Sequence, residues 1–118
     1  MVDDEPDITH LVRRVLENNE FVVDSYTDPT LALSNFKPGL YDLLLLDIKM
    51  PKMNGFDLYQ KMKEIESNVK ICFLTASELF YEEYRRLDAY PRLDKAHFIQ
   101  KPFRTEHLIR QLNEILYS

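Results

Sequence analysis

The chain has 118 residues, of which 45% are hydrophobic and 30% charged, with a net charge of −5 and a pI near 5.2. This balance predicts one globular domain and excludes a disordered chain. The acidic charge argues against direct binding to nucleic acid, which needs clustered Lys and Arg. Apolar runs are too short to cross a bilayer and acids stand where a signal peptide would be basic, so we expect a cytoplasmic protein without membrane contact.

The first third of the chain predicts two strands and two helices. Residues 1–3 form a strand that is shorter than usual, so we expect the natural protein to have a few more residues there. Apolar residues with helical spacing predict a helix over residues 6–18, with Pro6 tolerated in its first turn. Residues 21–26 are predicted to form a strand, and residues 29–36 a short helix.

The stretch LLLLD at residues 43–47 is a continuous apolar run that ends in a carboxylate. A strand without alternation is buried on both faces, which implies helices on both sides of the sheet. Helical spacing predicts a third helix over residues 55–65, and residues 70–75 form a second continuous apolar strand. The remaining predictions are a helix over residues 78–87, a strand over residues 98–100 and a last helix capped by Thr105.

Strands that alternate with helices predict a parallel sheet with right-handed crossovers, and hence an open, doubly wound α/β domain. In such sheets the ligand crevice lies beyond the carboxyl ends of the strands. The residues that close the predicted strands are therefore the candidate site residues. They are Asp3, Asp4, Asp47, Thr75, Ala76 and Lys101.

Each of these residues has an ordinary structural explanation, such as a helix N-terminus for the paired acids or a solvated side chain for the lysine. Together they are chemically coherent. Three carboxylates in one crevice repel one another unless a cation lies among them, and Mg²⁺ prefers oxygen ligands. A threonine hydroxyl and a lysine ammonium can bind phosphoryl oxygens. The leucines would then hold Asp47 as a nucleophile toward a phosphoryl donor.

The sequence resembles the receiver domain of two-component response regulators over nearly its whole length. The matching stretches are VDDEP at 2–6, LLLLDIKMPKMNGFDL at 43–58, FLTA at 73–76 and KPF at 101–103. The resemblance implies a single receiver domain over residues 1–118, with a flavodoxin-like (βα)5 sheet in strand order 2-1-3-4-5. It implies a phosphoacceptor rather than an enzyme, which takes a phosphoryl group from a sensor histidine kinase or a phosphotransfer protein.

The resemblance also implies roles for single residues. Asp47 would be the phosphoacceptor; Asp4 and Asp47 would bind Mg²⁺ directly, Asp3 mainly through a bound water, and Lys49 through its backbone carbonyl. Thr75, the N–H of Ala76 and Lys101 would hold the phosphoryl group, and Pro102 would follow Lys101 through a cis bond. Thr75 and Phe98 would form a coupled switch, although Phe98 could equally be an ordinary core residue.

The segment over residues 77–98 is longer and richer in aromatic residues than the family pattern, and Lys95-Ala96 replaces its usual Gly-Ala. Two explanations stay open: repacking around an insertion, or a partner surface with exposed Tyr81 and Tyr90. In the family, the fourth helix, last strand and last helix form the signalling face, where a second copy or an output domain would dock. Lys49 could alter the lifetime of the phosphoryl group or be a solvated lysine.

Two other functions compete with this interpretation. A Mg²⁺-dependent phosphohydrolase of the haloacid-dehalogenase type also has a nucleophilic Asp after an apolar strand. It needs a second acid two residues later, where this chain has Lys49, and a substrate cap, for which the chain has no room. A receiver fold that only docks would usually lose an acid, the threonine or the lysine, and none is lost. Mg²⁺ affinity would distinguish this docking module from a phosphoacceptor.

Overall fold

The computed structural model describes residues 1–76 and 95–117. Its sheet consists of three parallel strands in the order β1 (Leu43–Asp47), β2 (Lys70–Thr75) and β3 (Phe98–Gln100). The described helices are α1 (Pro6–Glu17), α2 (Pro29–Ser34), α3 (Gly55–Ile65) and α4 (Thr105–Leu116), with a 3₁₀ turn at Lys95–His97. The helix predicted over residues 78–87, together with Tyr81 and Tyr90, lies outside the described residues.

Two short segments extend the sheet beyond β1. Val2 forms parallel bridges to Leu46 in β1 and to Tyr26 on its other side. The N–H of Val2 donates to the carbonyl of Leu45 at 2.9 Å, and the N–H of Asp47 donates to the carbonyl of Val2 at 2.8 Å. The order across the sheet is therefore the Tyr26 segment, the Val2 segment, β1, β2 and β3. This confirms the predicted doubly wound sheet in the order 2-1-3-4-5.

The strand predicted over residues 21–26 is reduced to a single bridge at Tyr26. A strand persists only where a neighbour satisfies its backbone groups. Here the N–H of Tyr26 donates to the carbonyl of Met1 at 2.9 Å, and the N–H of Asp3 donates to the carbonyl of Tyr26 at 3.1 Å. The earlier residues keep the alternation of a strand, with Val22 fully exposed between partly buried Phe21 and Val23, but within the described residues they belong to no ladder.

Two hydrophobic clusters cover opposite faces of the sheet, as the continuous apolar strands predict. Leu46 and Phe73 point into the cluster under α2 and α3, whereas Leu45 and Leu74 point into the cluster under α1 and α4. Burying a side chain of this size contributes roughly 2 kcal/mol. The strand ends are therefore held rigidly between two packed layers. None of the described helices combines the length and the apolar character that crossing a membrane requires.

The helix starts follow from their caps, with one correction. The side chain of Asn54 accepts from the N–H of Asp57 at 2.9 Å, and α3 begins at Gly55 as predicted. The prediction that Thr105 caps the last helix is wrong. Arg104 has the extended backbone of the cap position, with no side-chain capping bond, and Thr105 is already the first helical residue. The first two helices end at Glu17 and Ser34, slightly earlier than predicted.

Candidate functional site

Three carboxylates meet at the carboxyl end of the sheet. Asp3 and Asp4 follow Val2 in the first segment, and Asp47 is the last residue of β1. One oxygen of each carboxylate lies within 4.8 Å of one oxygen of each of the other two. Asp3 and Asp47 are buried, and Asp4 is half-buried. The structure therefore brings together the three acids that the sequence placed at this edge.

The three acids are so close together that ionisation of Asp47 is unfavourable. Burial, the charges of Asp3 and Asp4 and a hydrogen bond with Asp4 raise the pKa of Asp47 from 3.8 to about 7, although the charge of Lys101 opposes the shift. A divalent cation among the carboxylates would relieve the same repulsion. A set of carboxylate oxygens suits a hard ion such as Mg²⁺, so the donor chemistry of Asp3, Asp4 and Asp47 fits that ion.

Lys101 places its ammonium group against these acids. Its Nζ is 2.7 Å from Oδ2 of Asp3, 3.6 Å from Oδ1 of Asp47 and 4.0 Å from Oε1 of Glu5. Burial disfavours the charged ammonium, but the hydrogen bond to Asp3 and the neighbouring negative charges outweigh it and raise the pKa of Lys101. The backbone N–H of Lys101 donates to the carbonyl of Thr75 at 2.7 Å. The bond from Lys101 to Pro102 is cis, as predicted.

Thr75 and Phe98 lie on the same face of the sheet. Thr75 is the buried last residue of β2, and Phe98 pairs with Phe73, two residues before Thr75. Phe98 is half-buried and stacks on Phe73, with ring centroids 5.4 Å apart. A shared face is what a coupled switch requires, but the stacked ring equally suits a core residue. Ala76 follows Thr75 and is exposed.

The loop after Asp47 returns tightly to the end of β1. The N–H of Gly55 donates to the carbonyl of Ile48 at 2.8 Å. A Cβ on Gly55 would overlap the carbonyl oxygen of Asp47. In the same loop Lys52 has a left-handed backbone, with φ of 70°, and its Nζ is 3.0 Å from Oδ2 of Asp28. The side chain of Lys49 is exposed.

Two residues near the acids were missed from the sequence. Glu5 lies close to Lys101, and Thr9 in α1 donates its hydroxyl to the carbonyls of Asp3 and Glu5. A signal for Thr9 was available. Thr9 precedes Val12 by three residues and therefore lies on the buried stripe of the helix, where a polar residue needs a partner. Leu11, an apolar residue within the same predicted helix, is exposed.

Comparison with known proteins agrees with this arrangement. Residues 1–113 match the family described as the response regulator receiver domain. The transcriptional regulatory protein DltR of Streptococcus agalactiae is 32% identical over 112 residues, which cover 95% of this chain and 48% of DltR. The response regulator SaeR of Staphylococcus aureus is 28% identical, covering 98% of this chain and 49% of SaeR. The chain thus spans about half the length of the curated relatives it matches.

The solved structures that resemble this chain are also response regulators. The non-phosphorylated HemR receiver domain from Leptospira biflexa superposes with a TM-score of 0.84 at 27% identity, covering 99% of this chain and 91% of that one. The response regulator TrrA from Thermotoga maritima, in complex with Mg²⁺-BeF, gives 0.78 at 28% identity, covering 97% and 94%. The family match over most of the chain and the shared fold lead to one conclusion. This chain is a two-component signalling domain that belongs to the response regulator receiver domain family.

Proposed function

We propose that this receiver domain accepts a phosphoryl group on Asp47 in a Mg²⁺-dependent reaction, and that the donor is a phosphohistidine of a sensor histidine kinase or of a phosphotransfer protein. One observation carries the proposal: three carboxylates lie within 4.8 Å of one another, with the ammonium of Lys101 3.6 Å from Asp47. Acids alone would repel a phosphoryl donor. A cation bound by the acids, together with the ammonium of Lys101, would offset this negative charge. The phosphoryl donor could then come close enough for the carboxylate of Asp47 to attack it.

Asp4 and Asp47 would bind the ion directly, and the backbone carbonyl of Lys49 would complete the protein ligands. Asp3 would act mainly through a bound water, because both of its oxygens already have protein partners. Its Oδ1 accepts from the N–H of Glu5 at 3.0 Å, and its Oδ2 accepts from Nζ of Lys101 at 2.7 Å. Bound Mg²⁺ would offset the negative charge of the acids and of the phosphoryl oxygens. The complex of TrrA with Mg²⁺-BeF supports Mg²⁺ as the ion.

In the proposed transfer, a carboxylate oxygen of Asp47 attacks phosphorus in line with the leaving imidazole. The new O–P bond forms as the N–P bond breaks, and the electron pair of that bond stays on the imidazole nitrogen, which takes a proton from solvent. Lys101, the hydroxyl of Thr75 and the N–H of Ala76 hold the phosphoryl oxygens during the transfer. Attack of water on phosphorus later returns the carboxylate of Asp47 and releases inorganic phosphate. The domain thus promotes both steps on itself.

Phosphorylation would be read through a switch in which Thr75 moves toward the phosphoryl group and Phe98 turns inward. Their shared face on the sheet supports this part of the proposal. The partner, a second copy or an output domain, would dock on the face of the fourth predicted helix, the last strand and the last helix. Kinship with a transcriptional regulator and another response regulator supports an output domain and a cytoplasmic location.

The test is the intact mass of the protein after incubation with acetyl phosphate, with and without Mg²⁺. We expect the wild type to gain one phosphoryl group only with Mg²⁺, and we expect Asp47→Asn to gain none. Asp42→Asn removes an exposed carboxylate just before β1, at the opposite end of the strand, and should be modified like the wild type. A folded wild type without added mass would overturn the proposal in favour of a docking module. Equal modification of Asp47→Asn would overturn the choice of acceptor.

A further inference from the structure

Thr9 is a buried polar residue beside the acid cluster, and the proposed chemistry does not use it. Its side chain lies in the first turns of α1, and the residue is only 5% exposed. Its Oγ1 is 2.9 Å from the carbonyl of Asp3 and 2.9 Å from the carbonyl of Glu5. One hydroxyl proton is therefore shared between two backbone carbonyls in a three-centre bond.

These two carbonyls flank Asp4 in the chain. The backbone N–H of Thr9 also donates to the carbonyl of Glu5 at 3.0 Å, and the N–H of Glu5 donates to Oδ1 of Asp3 at 3.0 Å. The peptide before Asp4 and the peptide after Glu5 are thus tied to one point on the helix. Because the backbone is held on both sides of Asp4, the direction in which the side chain of Asp4 points is restricted.

A bond from a helical threonine to the carbonyl four residues earlier is common and carries no functional meaning. The bond to Asp3 is different, because it reaches six residues back, beyond the start of the helix, into the acid segment itself. The hydroxyl is also buried, so water cannot readily replace it when it is removed.

We infer that Thr9 is a positioning residue for the Mg²⁺ site: its hydroxyl fixes the backbone around Asp4 and holds that carboxylate beside those of Asp3 and Asp47. This inference rests on the proposed function, since it concerns the affinity of that same site. Groups that orient metal ligands without touching the metal alter affinity strongly when they are removed. Loss of the hydroxyl should therefore weaken Mg²⁺ binding by roughly tenfold.

The experiment compares Thr9→Ser with Thr9→Ala in direct titrations with MgCl2 by calorimetry. Both variants lose the methyl group and differ only in the hydroxyl, so the cavity left by the methyl group is common to both. We expect serine to keep an affinity close to that of the wild type and alanine to show the loss. Thr9→Val, which keeps the shape of threonine, should behave like alanine. If valine prevents folding, as judged by circular dichroism, the serine and alanine pair carries the test.

Ser34→Ala is the matched control, because Ser34 also donates its hydroxyl to a helix carbonyl, that of Leu31 at 3.0 Å, but lies on the exposed surface of α2. It should leave Mg²⁺ affinity unchanged. Phosphorylation by acetyl phosphate should be slow in Thr9→Ala at low Mg²⁺ and should recover when Mg²⁺ saturates the site. A merely structural role would depress the rate at all concentrations of Mg²⁺.

Equal Mg²⁺ affinities for the folded serine and alanine variants would overturn the inference. That result is distinct from failure of the proposed function, in which the wild type itself gains no phosphoryl group. A wild type that binds Mg²⁺, loses affinity on Thr9→Ala and yet is not phosphorylated would support the role of Thr9 while overturning the transfer to Asp47.

Discussion

Asp47 shows how the environment of one residue sets the response of the metal-free protein to pH. Burial and the charges of Asp3 and Asp4 raise its pKa from 3.8 to about 7, against the pull of Lys101. In the unfolded chain Asp47 loses its proton near its ordinary pKa of 3.8, whereas in the folded protein it keeps the proton until about pH 7. Within this window the folded state binds more protons than the unfolded state. The free energy of unfolding contributed by Asp47 accordingly falls as pH rises through the window and is constant above it.

Asp47→Asn should therefore stabilise the protein in EDTA, and more so at high pH. Asparagine is neutral throughout, so we expect a gain of roughly 1–3 kcal/mol at pH 8 that shrinks toward zero near pH 4. Urea unfolding of both proteins at the two pH values measures this difference. Asp42→Asn, which removes the same charge from the other end of β1, should not reproduce the pattern. A gain from Asp47→Asn that is equal at both pH values would contradict the argument.

At the scale of elements, the two glycines of the chain are required for different reasons. Gly55 begins α3 and packs directly on the end of β1. A Cβ there would overlap the carbonyl oxygen of Asp47 and come within 3.0 Å of the Cα of Ile48. These are backbone atoms, so they cannot turn aside as a flexible side chain would. Gly39 has no heavy atom within 4 Å of such a Cβ, but its φ of +77° disfavours any other residue.

This difference predicts different outcomes for two alanine substitutions. Gly55→Ala should cost roughly 1–3 kcal/mol of unfolding free energy, because α3 must move away from β1. It should also slow phosphorylation by acetyl phosphate, because the movement displaces the peptide of Asp47. Gly39→Ala should cost roughly 1 kcal/mol through backbone strain and leave the rate unchanged. Urea unfolding and the rate at saturating Mg²⁺ measure both quantities. A Gly55→Ala protein with wild-type rate would show that the approach of α3 does not position Asp47.

At the scale of the whole molecule, the sequence predicted elements whose signal is local and missed those whose limits depend on a neighbour. The bounds of β1, β2 and α3 were predicted correctly, because continuous apolar runs and the cap at Asn54 lie within the segments themselves. The strand over residues 21–26 was overestimated, because a strand is defined by the residues that pair with it, and within the described residues only Tyr26 of this stretch is bridged, to Val2. The start of α4 was misjudged, because extended backbone at Arg104, rather than the identity of Thr105, sets the cap.

The site follows the same rule. Parallel topology alone predicts that Asp3, Asp4 and Asp47 meet at one edge of the sheet, since strand ends converge wherever the strands are parallel. The contact between the hydroxyl of Thr9 and the carbonyl of Asp3 depends on how the first turns of α1 fold back over Asp3. It spans six residues, a separation that matches neither the strand period nor the helix period. The acids of the candidate site were thus visible in the sequence. The helix pattern could also have indicated that Thr9 is buried, but its partner, the carbonyl of Asp3, became visible only in three dimensions.

Because the site joins distant parts of the chain, binding to it should stabilise the whole domain. Its carboxylates come from the first segment and from β1, and Lys101 is 98 residues from Asp3. Unfolding separates these groups, so Mg²⁺ should bind the folded state in preference to the unfolded chain. Above the dissociation constant, each tenfold increase in Mg²⁺ should then raise the free energy of unfolding by about 1.4 kcal/mol.

Urea unfolding across a series of MgCl2 concentrations, with NaCl holding the ionic strength constant, tests this linkage. Wild type and Asp42→Asn should gain stability in parallel, because residue 42 lies away from the acid cluster. Asp4→Asn should gain little, because it removes the half-buried carboxylate that is open to the ion. An equal gain in all three proteins would mean that Mg²⁺ acts elsewhere on the surface, and that the convergence of Asp3, Asp4 and Asp47 is not a metal site.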